Sequence, residues 1–143
     1  MMRLVIIAIS VVSLLSLAAG CSVPNLEVPE CTASRGIAKE FYSFHFGNEM
    51  KFSADGLKAR EKYLTPEVIA AVAGTREDVD PFTTGSVDIP KAFRIGGCEV
   101  TSPDAAKVEV VLFWRDDSRS EERRIHVETK RIDGRWLINR ILN

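Results

Sequence analysis

The sequence predicts an α+β domain, with helices in its first half and an antiparallel sheet in its second. Three observations carry that expectation. Apolar residues recur at helical spacing between positions 32 and 73, and strict alternation replaces that period from Lys91 onward. Asp133-Gly134 then offers a two-residue hairpin turn between the last two alternating runs.

The first helix is expected to start near Thr32 or Ser34, both able to cap it, and to stop at Gly47-Asn48. Ile37, Phe41 and Phe44, with Ala38 alongside, supply its buried stripe. A second, mostly polar helix is expected over Ala54 to Leu64, with Leu57, Tyr63 and Leu64 as its apolar contacts. Thr65-Pro66-Glu67 reads as a fresh start: cap, proline at the first position, acid in the first turn. Val68, Ile69, Val72 and Ala73 give that third helix its inner side, and Gly74 ends it. Residues 76 to 90 form a long connection rich in Asp, Thr, Gly and Pro.

Four strands follow. Phe93 and Ile95 open the first, and Gly96-Gly97 predicts a bulge before Cys98 and Val100. Val108, Val110, Leu112 and Trp114 mark the second; Ile125, Val127 and Thr129 the third; Trp136, Ile138 and Leu142 the fourth. If Asp133-Gly134 is a tight turn, Ile132 faces Arg135 and Thr129 faces Ile138. The same register sets Val127 against Arg140 and Ile125 against Leu142.

The 143 residues carry 19 basic and 20 acidic side chains, a net charge of −1, which offers no basic excess for nucleic acid. The start of the chain is distinctive. Arg3 precedes an apolar run from Leu4 to Leu17, and Leu17-Ala18-Ala19-Gly20 leads to Cys21. A charged head, a short apolar stretch and small residues before a cut site describe an export signal, too short for a bilayer span. The cysteine after Ala-Gly resembles the lipobox of bacterial lipoproteins. The resemblance implies cleavage before Cys21, lipid on its thiol, and membrane attachment through that lipid. With Ser22 after the cysteine it resembles an outer-membrane address in a host that has two membranes. The alternative is an ordinary signal cut elsewhere, leaving Cys21 free or disulfide-bonded. The expected organisation is a signal peptide over 1–20, a tether over 21–30 and one α+β domain over 31–143.

Export implies an oxidising compartment. If Cys21 carries lipid, Cys31 and Cys98 remain as an even pair. A bridge between them would close a loop of roughly 68 residues, worth about 4 kcal/mol in the chain-entropy model. The alternative is two buried thiols. Two separated cysteines and two distant histidines make no metal-ligand spacing, and no cofactor motif is present.

The order of motifs carries a second resemblance. Ile37-Ala38-Lys39-Glu40-Phe41-Tyr42, Tyr63-Leu64-Thr65-Pro66-Glu67, Asp80-Pro81-Phe82 and Asp133-Gly134-Arg135-Trp136-Leu137-Ile138 occur in a sequence similar to nuclear-transport-factor-2-like domains. Within them the chain looks most like bacterial lipoproteins of unknown function. The resemblance spans roughly residues 33 to 142 and implies a bent sheet wrapped around the first helix, with a cavity at its open end.

Candidate ligand-binding residues in such a cavity are Tyr42, His45, Phe82 and Arg140. His45 sits near the edge of the first helix's stripe, where it is a tuned base or a core-edge residue. Arg140, in the register above, falls among apolar neighbours. It lines a cavity mouth and binds an anion, or pairs with an acid such as Glu40 or Asp80, or a register slip puts it in water. Phe82 either covers the cavity as a rim residue or anchors a turn. His126 and the mixed charges of residues 115–124 read as solvated surface. No catalytic constellation appears, so the first expectation is a non-catalytic, lipid-anchored envelope domain that binds a small molecule or an envelope protein. An immunity- or inhibitor-like interaction protein is second, and an isomerase or dehydratase using the cavity is third.

Overall fold

A computed structural model describes residues 26–143. The expected export signal, Cys21 and the first part of the expected tether lie outside the described residues. Helix α1 (Pro29–Phe46) is followed by α2 (Ala54–Arg60), a 3-10 turn (Glu61–Tyr63) and α3 (Pro66–Val72). Strands β1 (Ala92–Ser102), β2 (Ala105–Arg115), β3 (Ser120–Ile132) and β4 (Arg135–Leu142) form one antiparallel sheet in the order β1-β2-β3-β4. The predicted α+β architecture is the observed one.

Helix α1 begins at Pro29, earlier than the expected Thr32 or Ser34. Val28 is the cap residue and offers no side-chain bond; Pro29 at the first position and Glu30 in the first turn set the start instead. Two residues assigned to the tether therefore belong to the helix. Ser53 caps α2 by accepting from Gly56 N–H, and Thr65 caps α3 by accepting from Val68 N–H. The helical stretch after Ala54 tightens into the 3-10 turn at Glu61 rather than running on to Leu64.

The buried line of α1 is Cys31, Ser34, Ala38, Phe41, Tyr42 and His45. It is rotated from the expected stripe: Ile37 and Phe44 flank it half-buried, and His45 lies at its centre with none of its surface exposed. Small residues explain the rotation. Ser34 and Ala38 let the helix lie close on the sheet, where the Thr129 hydroxyl sits 2.8 Å from Ser34 Oγ. Against this line pack Val108, Val110, Leu112 and Trp114 of β2, Ile125 and Val127 of β3, and Ile138 of β4. Aromatic rings continue the packing, Phe41 lying 5.2 Å from Phe82 and Phe46 4.9 Å from Phe93, centroid to centroid.

Cys31 and Cys98 are disulfide-bonded, with Cα atoms 5.7 Å apart. The bridge fastens the first turn of α1 to β1. The Gly96-Gly97 bulge also forms: Ile95 pairs with Val110 and Cys98 with Val108, so two glycines oppose Glu109 alone. Asp133 (φ 49°) and Gly134 (φ 76°) both adopt positive φ, making the predicted two-residue turn.

That turn sets the expected register only as far as Thr129↔Ile138. A second bulge then intervenes, and Glu128 pairs with Arg140, Val127 with Ile141 and His126 with Leu142. The expected partners of Val127 and Ile125 are thereby displaced by one residue. Because successive strand residues face opposite sides, the slip puts Ile141 against the core and turns Arg140 and Leu142 outward. Burial supplies the reason: in the unslipped register an arginine would occupy the place that Ile141 fills.

Candidate functional site

Two polar clusters stand out, and they differ in access. The first is interior. Asp80 Oδ2 and Oδ1 lie 3.0 and 3.1 Å from His45 Nε2, and both side chains are wholly buried. Arg60 Nε donates to His45 Nδ1 at 2.9 Å. An arginine can only donate, so Nδ1 accepts, and the ring proton sits on Nε2 directed at Asp80. The imidazole thus bridges a buried guanidinium and a buried carboxylate.

Every other polar atom of the cluster is occupied. Arg60 also donates to the carbonyls of Gly56 and Glu49, each at 2.8 Å, and Asp80 accepts from Phe82 N–H and the Thr83 hydroxyl. Burial pulls the Arg60 guanidinium below its ordinary pKa, against the opposing pull of the Asp80 and Glu49 charges. Tyr42 donates to the Phe82 carbonyl at 2.7 Å. Burial, and then the Asp80 charge, push its phenol well above the usual value. Three of the sequence-predicted ligand residues, Tyr42, His45 and Phe82, therefore meet in one place, but as a clasp. They hold the turn at Asp80-Pro81-Phe82 against α1, with no surface left for a ligand. Phe82 anchors that turn and is 3% exposed. Arg60, which sequence reasoning missed, completes the cluster; no local signal in the sequence marks it.

The second cluster is open. Thr65 N–H donates to the Ile138 carbonyl at 2.9 Å, and Leu64 bridges Ile138 in parallel, docking the start of α3 on the edge of β4. Beyond this junction α3 and β4 diverge around a groove of about 380 Å³. Val68, Val72, Pro81 and Ile141 give it an apolar floor; Lys130, Arg140 and Asn139 stand on its walls. Arg140 is the fourth predicted ligand residue, and its place corrects the expectation. Its side chain is 63% exposed and pairs with Glu128 at 3.5 Å, not with Glu40 or Asp80, so it stands at the groove's lip rather than in the concave interior. Glu67 shares the wall; its carboxyl lies below the ordinary range, mainly through hydrogen bonds from its own backbone N–H and from Thr65.

The charged hairpin end between β2 and β3 folds back rather than waving free. Arg119 makes a two-pronged contact with Asp88 at 3.1 and 2.9 Å, and Trp114 Nε1 donates to the Asp88 carbonyl. Arg119 and Arg123 lie 5.4 and 4.9 Å from the Trp114 ring centroid. Among the described residues, no group of His, Cys, Asp and Glu is placed to hold a metal ion, and no helix is long and apolar enough to cross a membrane.

No protein-family model matches the chain, and no curated protein matches it. Two solved structures do. One is the Ntf2-like potential transfer protein TraM from the Gram-positive conjugative plasmid pIP501. It is 18% identical, with a TM-score of 0.54 over 76% of this chain and 89% of that one. The other is a protein of unknown function from Bacteroides thetaiotaomicron VPI-5482, 20% identical, with a TM-score of 0.55 over 78% of this chain and 90% of that one. At these identities the likeness speaks for architecture alone. Helices cradled by a four-stranded antiparallel sheet, matched over most of both chains, give this protein a nuclear-transport-factor-2-like fold.

Proposed function

We propose that the protein is a lipid-anchored, non-catalytic envelope domain that binds a small ligand or a segment of an envelope partner in the groove between α3 and β4. The carrying observation is the contrast between the polar clusters: the groove joins an apolar floor to exposed cationic groups, whereas the interior histidine and aspartate are saturated by their own neighbours. Ligand sites commonly combine an apolar surface with a few polar groups that fix orientation. Lys130, Arg140 and Asn139 suit an anionic or carboxylate end, and Val68, Val72 and Ile141 an apolar body. The anchor rests on the sequence resemblance at Leu17 to Cys21, and the oxidised Cys31–Cys98 pair accords with an exported domain.

The test is native mass spectrometry of the full protein recovered from the membrane fraction of its host. A lipidated amino-terminal Cys21 with a co-purified mass, lost in Lys130→Glu and Val72→Glu variants, is expected. An unacylated protein in the aqueous fraction refutes the anchor, and a bound mass that both variants retain refutes the groove.

A further inference from the structure

At one corner of the sheet the cations are uncommitted. Helix α1 starts beside Cys98 and Thr129 and reaches Phe93 only with Phe46, so Ala92 and Arg115 lie at the end remote from its start. There Lys91, Arg94 and Arg115 surround a groove of about 420 Å³ with Ala92 and Phe113 in its floor. Every other arginine among the described residues donates to or ion-pairs with a carboxylate, His45 or a backbone carbonyl. The guanidinium groups of Arg94 and Arg115 have no such partner among the described residues. Lys91 also borders the hollow that holds Asp88 and Asp116, so the uncommitted charge is that of the two arginines.

The strand register fixes the spacing of this patch. Ala92 pairs with Phe113 and Arg94 with Val111, and Arg115 follows Phe113 by two positions. Leu112 and Trp114 face the core, so Phe113 and Arg115 share the opposite face with Ala92 and Arg94. Along the strands the order is Arg115, then Phe113 beside Ala92, then Arg94, each step being about 7 Å. Because Ala92 is small, it leaves the Phe113 ring half-buried rather than covered. The patch also has a boundary. Glu109 lies over Gly96 and pairs with Arg124 at 3.6 Å, and Arg124 also holds Glu122.

We propose that this patch binds an extended segment of a partner protein, bearing acid, aromatic and acid at alternate positions and laid along the open edge of β1. Strand β1 is paired on one side only, to β2, and an exposed edge is a template for a further strand. Side chains of an added strand repeat on one face every two residues, the period of the patch. An aromatic side chain set beside Ala92 then rests against Phe113, and the acids two residues to either side meet Arg115 and Arg94. The two arginines stand roughly 14 Å apart at the backbone, the reach of five residues of strand and too wide for one small anion to bridge. Charge selects the occupant. A second copy of this edge would bring arginine to arginine, and a neutral or basic strand would leave both guanidinium groups without a partner.

The test titrates the full chain, in non-ionic detergent, with a capped peptide of seven residues. The peptide carries glutamate, phenylalanine and glutamate at its second, fourth and sixth positions and threonine elsewhere. Calorimetry reads the affinity, and backbone amide shifts read the site. Binding is expected, weaker as salt rises, with the largest shifts in Ala92 to Ile95 and Phe113 to Arg115. Arg94→Glu and Arg115→Glu should each weaken it about tenfold. Thermal melts should barely move, because neither guanidinium has a partner to lose. The double variant should instead take the peptide with lysines in place of both glutamates. A peptide of the same composition with its glutamates and phenylalanine adjacent should bind the wild type about tenfold less tightly. Absence of binding to the wild type overturns the proposal. So do equal affinities for the two glutamate peptides, or an affinity indifferent to both arginine variants. Shifts confined to the groove between α3 and β4 overturn it too, while leaving the reading of that groove intact.

Discussion

The two polar clusters of this domain use the same kinds of side chain for opposite ends. In the interior, Arg60, His45 and Asp80 have given every donor and acceptor to one another or to nearby backbone. At the groove, Lys130 and Arg140 face solvent beside an apolar floor. A histidine and an aspartate share the interior of this fold. Their presence inside the sheet does not make a reaction centre; an unsatisfied or reachable atom is also needed, and here both are enclosed. The interior cluster instead secures the 76–90 connection, which otherwise has few regular backbone bonds, to the carboxyl end of α1.

Three substitutions probe the contrast. Asp80→Ala strands Arg60 and the His45 Nε2 proton in a dry interior and should cost about 3–5 kcal/mol, read from urea denaturation. A loss below 1 kcal/mol would show that the clasp is not what holds the connection. Tyr42→Phe removes one buried hydrogen bond and should cost about 1 kcal/mol. It also carries a pH signature. The folded phenol is held above its ordinary value, so its contribution is complete below about pH 10 and disappears as pH rises through the folded value. The wild type should therefore lose stability above that pH more steeply than the phenylalanine variant, and parallel curves would contradict the assignment. Smallest of all, Arg140→Gln should move stability by less than about 0.5 kcal/mol, as for other exposed side chains. A large destabilisation there would return Arg140 to the interior and erase the difference between the clusters.

Much of the fold was legible because its cues are local. The Gly96-Gly97 bulge, the Asp133-Gly134 turn and the Thr65-Pro66-Glu67 helix start each announce themselves within a few residues. The bulge between Glu128/Thr129 and Ile138/Arg140 does not: neither glycine nor proline marks it, and only competition between Arg140 and Ile141 for the core decides it. The start of α1 was missed although Pro29-Glu30 carries the same proline-and-acid cue as Pro66-Glu67, because Thr32 and Ser34 offered more familiar caps. The His45 cluster was beyond reach, since its partners lie 15 and 35 residues away in the chain. Those separations close only when the connection folds back over α1, a tertiary event without local signature.

The Cys31–Cys98 crosslink bears on how the molecule carries load. A helix held at its end by hydrogen bonds alone can be drawn off turn by turn when its leading segment is tugged. Here tension arriving from upstream is divided at the first turn, and part of it goes straight into a strand hydrogen-bonded along its length to β2. Unravelling from that end must shear the sheet as well as uncoil the helix, so the domain resists traction applied ahead of α1.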